Sequence, residues 1–520
     1  MSKMSPEGIY IAARIRETYS RFSERVLLRD DGVTLSGAEI GLTIEALGLL
    51  ISESTRERER VGVLFPNRAS RGLAVLAVLA AGRVPVILER NQVPSTNLGL
   101  LLCSAPDYSG VSAPVPTWFL DERGNPIRSE SGENGGTNEL PKPGTALILF
   151  TSGSTGERKG VLVSEKGLLY TADLLAGVFE LGPAVRAAVV LPICHSMGLN
   201  TQFLPTFFAG GESYFQEPSL SLNRCYRNLL AIRPTFVSLI GELLRICYEE
   251  LKKRALPAAH TVRHVQLAGG SILHEHLLMA HELFPNAVLH KGYGLTEGIR
   301  VSMISSLDSQ FFTESVGRPL PQQEIEIRDR AGTALGPGTI GQIHVRGPNL
   351  MLGYDGHATN PFTADGFLPT GDLGNWTEQG ELTIVGRTDS LFKVAGEQVS
   401  ALEIERAAAE GAAFARDVKC LAVPDPQLGN HVVLFLELAR EQEKRFLDEQ
   451  RFKFEKNLRE RFSRSFLPKQ VFILDKFPRT ENGKLKNHRL REILTEESHR
   501  TRAGGPFLYR MLSGDSEKGA

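Results

Sequence analysis

The 520-residue sequence has no surplus of either charge: 59 Lys and Arg stand against 60 Asp and Glu, a formal net charge of −1. That balance gives no overall electrostatic case for nucleic acid or an anionic membrane as partner. Cysteine is scarce. The five residues, Cys103, Cys194, Cys225, Cys247 and Cys420, form no close pair and no metal-ligand spacing. A disulfide or zinc framework is therefore not expected, and the thiols fit the reduced state of a cytoplasmic protein. Long hydrophobic runs are missing too. The most apolar stretch, "LAVLAVLAAGRVPVIL" (residues 73–88), is short of a membrane span and is broken by Gly82, Arg83 and Pro85. It reads as a buried helix followed by a strand, so no integral membrane segment is expected. The opening "MSKMSPEGIY" lacks the apolar core of a secretion signal. Neither a short repeat nor a coiled-coil heptad occurs. What remains is a globular chain whose partner is a small molecule or a local protein surface.

At 42% hydrophobic and 23% charged residues, the chain has an ordinary globular balance and exceeds one domain in length. From about residue 34 to 370, short β-rich runs ("RVGVLF", "RVPVIL", "TALILF", "RAAVVLP", "PTFVSLI", "HVQLAGG", "AVLHKGYG") alternate with helix-like stretches. The pattern predicts an α/β fold whose strand ends carry ligand loops. The polar, Gly-rich residues 112–144 read mostly as surface connection. After "GFLPTGDLG", the segment "GELTIVGRTDSLFKVAGEQVS" predicts hairpins, and helix and strand alternation resumes to about residue 495. The expected division is a large N-terminal domain over 1–388, a small α+β C-terminal domain over 389–495, and a polar tail over 496–520. Residues 440–462, with phenylalanines at helical spacing, predict a solvated amphipathic helix.

Chemistry gathers in a few segments. "TSGSTGERKG" (residues 151–160) follows the apolar "ALILF", so its glycines sit at a strand end. Its hydroxyls, exposed backbone N–H groups and Lys159 suit an anionic phosphate chain, although composition alone also fits a Gly/Ser linker. It is not a Walker A loop, because Lys159 is followed by Gly160. In "KGYGLTEG" (residues 291–298), Tyr293 suits stacking on a purine, Thr296 a phosphate, and Glu297 a hard cation such as Mg²⁺. "LPTGDLG" places Asp372 in a tight Gly-flanked turn, suited to the two hydroxyls of a ribose. "GRTDSLFKVAGE" contributes Arg387 and Asp389, and "PRTENGKLKN" contributes Lys484.

In this order and spacing the segments resemble the adenylate-forming superfamily: acyl-CoA synthetases, aryl-CoA ligases, carrier-protein-loading adenylation domains and luciferases. The resemblance runs from about residue 60 to 487. It implies a large N-terminal domain of α/β subdomains with a small mobile C-terminal one, and a two-step reaction. ATP and a carboxylic acid give an acyl-adenylate and pyrophosphate, and a thiol then displaces AMP. The thiol it implies is CoA, with the phosphopantetheine of an acyl carrier protein as the alternative; a non-catalytic nucleotide-binding protein is the reading from another class. It also implies roles. Thr151, Ser152, Gly153, Ser154, Thr155, Gly156 and Lys159 would hold the phosphates. Gly269, Gly270, Tyr293 and Gly294 would frame the adenine, with Asp372 and Arg387 at the ribose. Lys484, Thr296, Glu297 and His195 would be catalytic, with Glu297 holding Mg²⁺. Asp389 would be the hinge and Gly396 the thiol tunnel. In "LPICHSMGL", Ser196 follows His195 where members that activate α-amino acids have Asp, which disfavours an α-amino acid. Ser196, Met197, Asn200, Ile240 and Gly241 are the expected acyl-pocket residues. Two departures stand out: Arg158 occupies a place usually held by proline, and so does Gly241.

Overall fold

The computed structural model describes residues 10–89, 98–104, 115–130, 139–151, 158–216, 224–270, 272–412, 414–438, 444–479, 485, 487–498 and 508–512. The chain divides into two compact units, Met1–Ile325 with Val345–Leu368, and Glu326–His344 with Pro369–Ala520. The first holds two large sheets. One runs, in spatial order, Pro126–Glu130, Thr117–Leu120, Leu100–Ser104, Arg60–Leu64, Val84–Ile87, Thr145–Phe150 and Gly160–Ser164. Its interior pairs are parallel and its two edge pairs antiparallel. Such strands are covered on both faces and read as continuous apolar runs. Arg60–Leu64 and Val84–Ile87 are indeed buried at every position. The adjoining helix Ala69–Ala80 is buried from Ala69 to Leu79, as "LAVLAVLA" predicts, and Asp30 caps it by accepting from the Ala69 N–H at 3.0 Å. Residues 112–144 differ from expectation. They supply the strands Thr117–Leu120 and Pro126–Glu130, because Phe119 and Leu120 of "TWFL" enter the core.

The second sheet has nine strands in the order Arg318–Pro319, Gly298–Ser305, Val288–Leu295, His264–Leu267, Phe236–Leu239, Arg186–Val189, Glu212–Phe215, Val26–Arg29 and Thr34–Ser36. Its centre is parallel. In open parallel sheets the loops beyond the carboxyl ends of neighbouring strands converge, and ligands bind there.

A sheet of Glu324–Arg328, Gly341–Arg346, Leu368–Trp376 and Leu382–Arg387 belongs largely to the second unit. The predicted hairpin follows, Leu391–Val394 against Glu397–Ser400. A further sheet pairs Ala415–Asp425, Gly429–Leu438, Gln470–Leu474 and Leu508–Leu512 in that order. Helix Lys444–Arg461 answers the amphipathic pattern, with Phe454 and Leu458 buried and Phe452 exposed. The segment read as a polar tail contains a strand, Leu508–Leu512, parallel to Gln470–Leu474; five residues among polar neighbours give too short a period to signal one.

Candidate active site

The phosphate-loop base is the hairpin of Thr145–Phe150 with Gly160–Ser164. The Thr151 N–H donates to the Lys159 carbonyl at 3.0 Å. Residues 152–157 lie outside the described residues, so Ser152, Gly153, Ser154, Thr155 and Gly156 carry no geometry. Lys159 Nζ stands 5.1 Å from the ring centre of Tyr354, whose hydroxyl donates to Glu297 Oε1 at 3.0 Å. One tyrosine thus ties the loop's cation to the expected Mg²⁺ ligand. Tyr354 is itself held fast. Leu352 and Gly353 exchange backbone hydrogen bonds with Leu162, and the Asp355 N–H donates to the Gly160 carbonyl at 2.7 Å. Asp355 also takes a two-pronged bond from Arg60, at 2.6 and 3.1 Å, the geometry in which Arg and a carboxylate bind most strongly.

Thr296 and Glu297 form the turn between Val288–Leu295 and Gly298–Ser305. Tyr293 lies within the first of these strands, opposite Ser302, and is 9% exposed. The Met351 N–H donates to the Glu297 carbonyl at 2.8 Å, which fixes the turn to the segment bearing Tyr354. Among the described residues Tyr354 is the sole partner of the Glu297 carboxylate. A half-buried carboxylate with one oxygen engaged is a hard-oxygen donor of the kind Mg²⁺ takes one or two of, alongside phosphate oxygens and water. The residues present fit that ion.

The pocket motif leaves the strand Arg186–Val189 and is pinned by buried Asn67. Its amide donates to the carbonyls of Val189 and Gln216 at 3.2 and 2.9 Å, and its Oδ1 accepts from the Ile193 N–H at 3.0 Å. His195 then caps a short helix, Ser196–Gly198, that runs into a π-helical turn, Leu199–Phe203, a form frequent at functional sites. His195 Nε2 lies 3.6 Å from Glu89 Oε1, and Arg158 Nη1 3.1 Å from the same oxygen. Burial raises the Cys194 thiol, but the charge and hydrogen bond of the adjacent imidazole, helped by Arg71, leave it below its ordinary pKa. Burial likewise pulls His195 down, and the Cys194 and Glu89 charges overcome it and lift the imidazole above its ordinary value.

Gly269, Ile240 and Met197 meet. At φ +87° Gly269 has the left-handed backbone that glycine favours, and a Cβ there would lie 2.6 Å from Ile240 Cγ2 and 3.9 Å from Met197 Sδ. Ser196 Oγ accepts from Asn200 Nδ2 at 3.2 Å. Asn200 is 1% exposed, and its Oδ1 has no partner among the described residues. Gly241 opens the helix Gly241–Arg254 and faces His276, whose ring would stand 2.7 Å from an added Cβ. Around Gly270 there is open space.

In the second unit Asp372 and Arg387 are register partners and an ion pair, with Nη1 to Oδ1 at 3.3 Å. Asp372 lies within the strand Leu368–Trp376 rather than in a turn; the left-handed residue is its neighbour Gly371, at φ +76°. Asp389 falls in the short 3₁₀ helix Thr388–Ser390. Ala395 and Gly396, both at positive φ (50° and 86°), form a two-residue hairpin turn. A side chain added at Gly396 would meet nothing within 4 Å. Lys484 lies outside the described residues.

Sequence reasoning assigned no role to Glu89 or Tyr354. Glu89 is one acid among many and becomes notable only once the strand Val84–Ile87 brings it beside His195. Tyr354 closes "RGPNLMLGY" (residues 346–354), a run with no cluster of charged or hydroxyl side chains to mark a site.

Residues 110–355 match the family model described as AMP-binding enzyme. A probable CoA ligase of Humulus lupulus, CCL8, is 28% identical over 388 residues, 69% of this chain and 63% of that protein; the chain thus spans less than two thirds of this relative. The indoleacetate–CoA ligase of Aromatoleum aromaticum is 30% identical over 356 residues, 68% of each. Among solved structures, O-succinylbenzoate Coenzyme A synthetase of Bacillus subtilis in complex with AMP superimposes at TM-score 0.75 with 22% identity, covering 95% of this chain and 98% of that one.

Proposed function

Because the chain belongs to the adenylate-forming superfamily, we propose that it is an AMP-forming acid–thiol ligase. It activates a carboxylic acid other than an α-amino acid with ATP and passes the acyl group to CoA. The observation that carries this reading is the Lys159–Tyr354–Glu297 chain, which gathers the phosphate loop's cation and a metal-binding carboxylate around one fixed tyrosine.

In the first step a carboxylate oxygen attacks the α-phosphorus and the bond to the bridging oxygen of pyrophosphate breaks. Both reactants are anions, so the site's task is to concentrate positive charge without having to reorganise. Lys159 and the backbone donors of residues 151–156 take the charge of the departing phosphates. Glu297 would hold Mg²⁺, which when bound neutralises phosphate charge. Lys484, from the second unit, bridges the acid's carboxylate and a ribose oxygen, and Asp372 accepts from the ribose hydroxyls. In the second step the thiol sulfur attacks the acyl carbonyl and AMP departs. The hinge is Asp389, and the open surroundings of Gly396 suit a narrow pantetheine arm. Ser196 after His195 puts a hydroxyl where members that activate α-amino acids have the Asp that pairs with the α-ammonium, and Met197, Ile240 and Asn200 form a mixed apolar and amide lining. That lining suits an aryl, medium-chain or hydroxylated acid.

The test is carboxylate-dependent pyrophosphate release over fatty, aryl, hydroxy and amino acids, with and without CoA. Turnover of one acid to AMP and a CoA thioester is the expected result. Release that stalls until a carrier protein is added would transfer the second step to that acceptor, and silence across the panel would refute catalysis.

A further inference from the structure

We infer that Glu89, Cys194 and His195 form a binding site for a thiophilic divalent cation, zinc being the chemical type, separate from the hard-cation site at Glu297. One ligand atom from each residue lies within 4.8 Å of the other two. Among the described residues this is the one group of three metal-ligating side chains so placed. A set of one nitrogen, one oxygen and one sulfur suits tetrahedral Zn²⁺ and is wrong for Mg²⁺, which takes oxygen ligands in an octahedron.

The geometry is close to what such an ion requires. Bonds of about 2.0–2.3 Å at tetrahedral angles place ligand atoms about 3.3–3.7 Å apart. The His195–Glu89 separation is already 3.6 Å. An edge as wide as 4.8 Å would have to contract by about 1 Å, within the reach of side-chain rotation. The backbone beneath is set, since Asn67 holds Ile193, the His195 N–H donates to the Pro192 carbonyl at 3.2 Å, and the Leu199 N–H to the His195 carbonyl at 3.0 Å. The site also has an approach. Cys194 is 6% exposed at the back, while the imidazole and carboxylate keep 33% and 25% of their surface at the front. Ligation sends the thiol proton to solvent, and thiolate and carboxylate together then balance the cation's two charges. Arg158, now 3.1 Å from Glu89, must share that carboxylate or yield it. With three protein ligands the fourth position stays open, as it does in zinc sites that bind an exchangeable group.

One consequence rests on the function proposed above. His195, an expected catalytic residue, directly precedes the expected acyl-pocket residues Ser196 and Met197, so an occupied site opposes acid binding, and zinc should inhibit in competition with the acid.

Cobalt(II) titration of the full chain under a non-chelating reductant tests the site without any activity. The expected result is one cobalt per chain, with thiolate-to-cobalt charge transfer in the near ultraviolet and the visible bands of a tetrahedral ion, all displaced by Zn²⁺. Cys194→Ser should remove the charge-transfer band, and Cys103→Ser should keep it. Glu89→Gln, which removes the carboxylate charge at a half-buried side chain, should weaken binding at least about tenfold. No stoichiometric band in the native chain, a band that survives Cys194→Ser, or unchanged affinity in Glu89→Gln would each overturn the proposal. Cobalt binding without zinc inhibition would leave the site standing and remove its link to the acyl pocket.

Discussion

In the first unit Lys159 and Glu297 meet through a tyrosine whose segment is locked by the Arg60–Asp355 ion pair, only 8% and 16% exposed at its two side chains. In the second unit Asp372 and Arg387 meet across a strand pair, with Arg387 half exposed at 51%, and a Cβ on Gly396 would meet nothing within 4 Å. The first arrangement holds charges in place before substrate arrives, which is what electrostatic stabilisation of phosphoryl chemistry needs. The second places Asp372 within an interior strand, Arg387 at the end of the neighbouring edge strand and Gly396 in a hairpin turn. The difference fits the proposed reading, in which the first unit supplies a fixed charge field and the second unit supplies further groups.

The strongest way to break that division is Lys484→Ala. Acid-dependent ATP–pyrophosphate exchange should fall by about 10²–10³-fold, while conversion of a supplied acyl-adenylate to the thioester falls far less; equal losses would collapse the distinction. Within the fixed half, Glu297→Gln should lower exchange by about 10²-fold. Tyr354→Phe, which removes one hydrogen bond to a carboxylate, should lower it by about tenfold. Initial rates across a magnesium series would check both, and a silent Tyr354→Phe would mean that the tyrosine only fills space.

Backbone tolerance offers a stability version of the comparison. A Cβ at Gly292 would stand 2.2 Å from the Ser302 carbonyl oxygen, whereas at Gly396 it would meet nothing. Gly292→Ala should therefore cost about 3 kcal/mol, and Gly396→Ala about 1–2 kcal/mol from its positive φ alone. Denaturant unfolding with probes in each unit would measure the pair, and equal costs would refute the contrast.

A pH-dependent effect also belongs to the first unit. Burial, with His264 at 3.1 Å and the Arg300 charge, holds the His290 imidazole down to about 3. Its folded pKa lies below the unfolded one, so its contribution to stability is complete above about pH 6.5 and is lost as pH falls toward 3. The slope for this one group is at most about 1.4 kcal/mol per pH unit. His290→Gln should flatten the acid limb of a stability–pH curve; an unchanged limb would assign acid sensitivity to other groups.

Much of this was legible from local pattern. The buried runs "TALILF" and "RVGVLF" and the apolar helix at residues 69–80 announce themselves because parallel strands covered on both faces admit little but apolar side chains. The hairpin at Gly396 shows in its turn chemistry. Asp372 was read as a turn residue because Gly371 and Gly374 flank it, but sheet pairing overrode that signal. The short strand Leu508–Leu512 gave no readable period.

The five scattered cysteines illustrate the deeper limit. By spacing they argue against any zinc framework, and for a site built within one local motif that inference holds. Glu89 and Cys194 are 105 residues apart, and only the convergence of loops leaving strands of two different sheets brings them together. The sequence by itself determined the α/β alternation, the order of the phosphate, pocket and ribose segments, and so the family, because these reside in short runs whose chemistry is local. The tertiary structure alone decided that Tyr354 joins Lys159 to Glu297 and that Glu89 stands beside Cys194 and His195, because contacts between distant segments depend on strand order and packing, which no local run encodes.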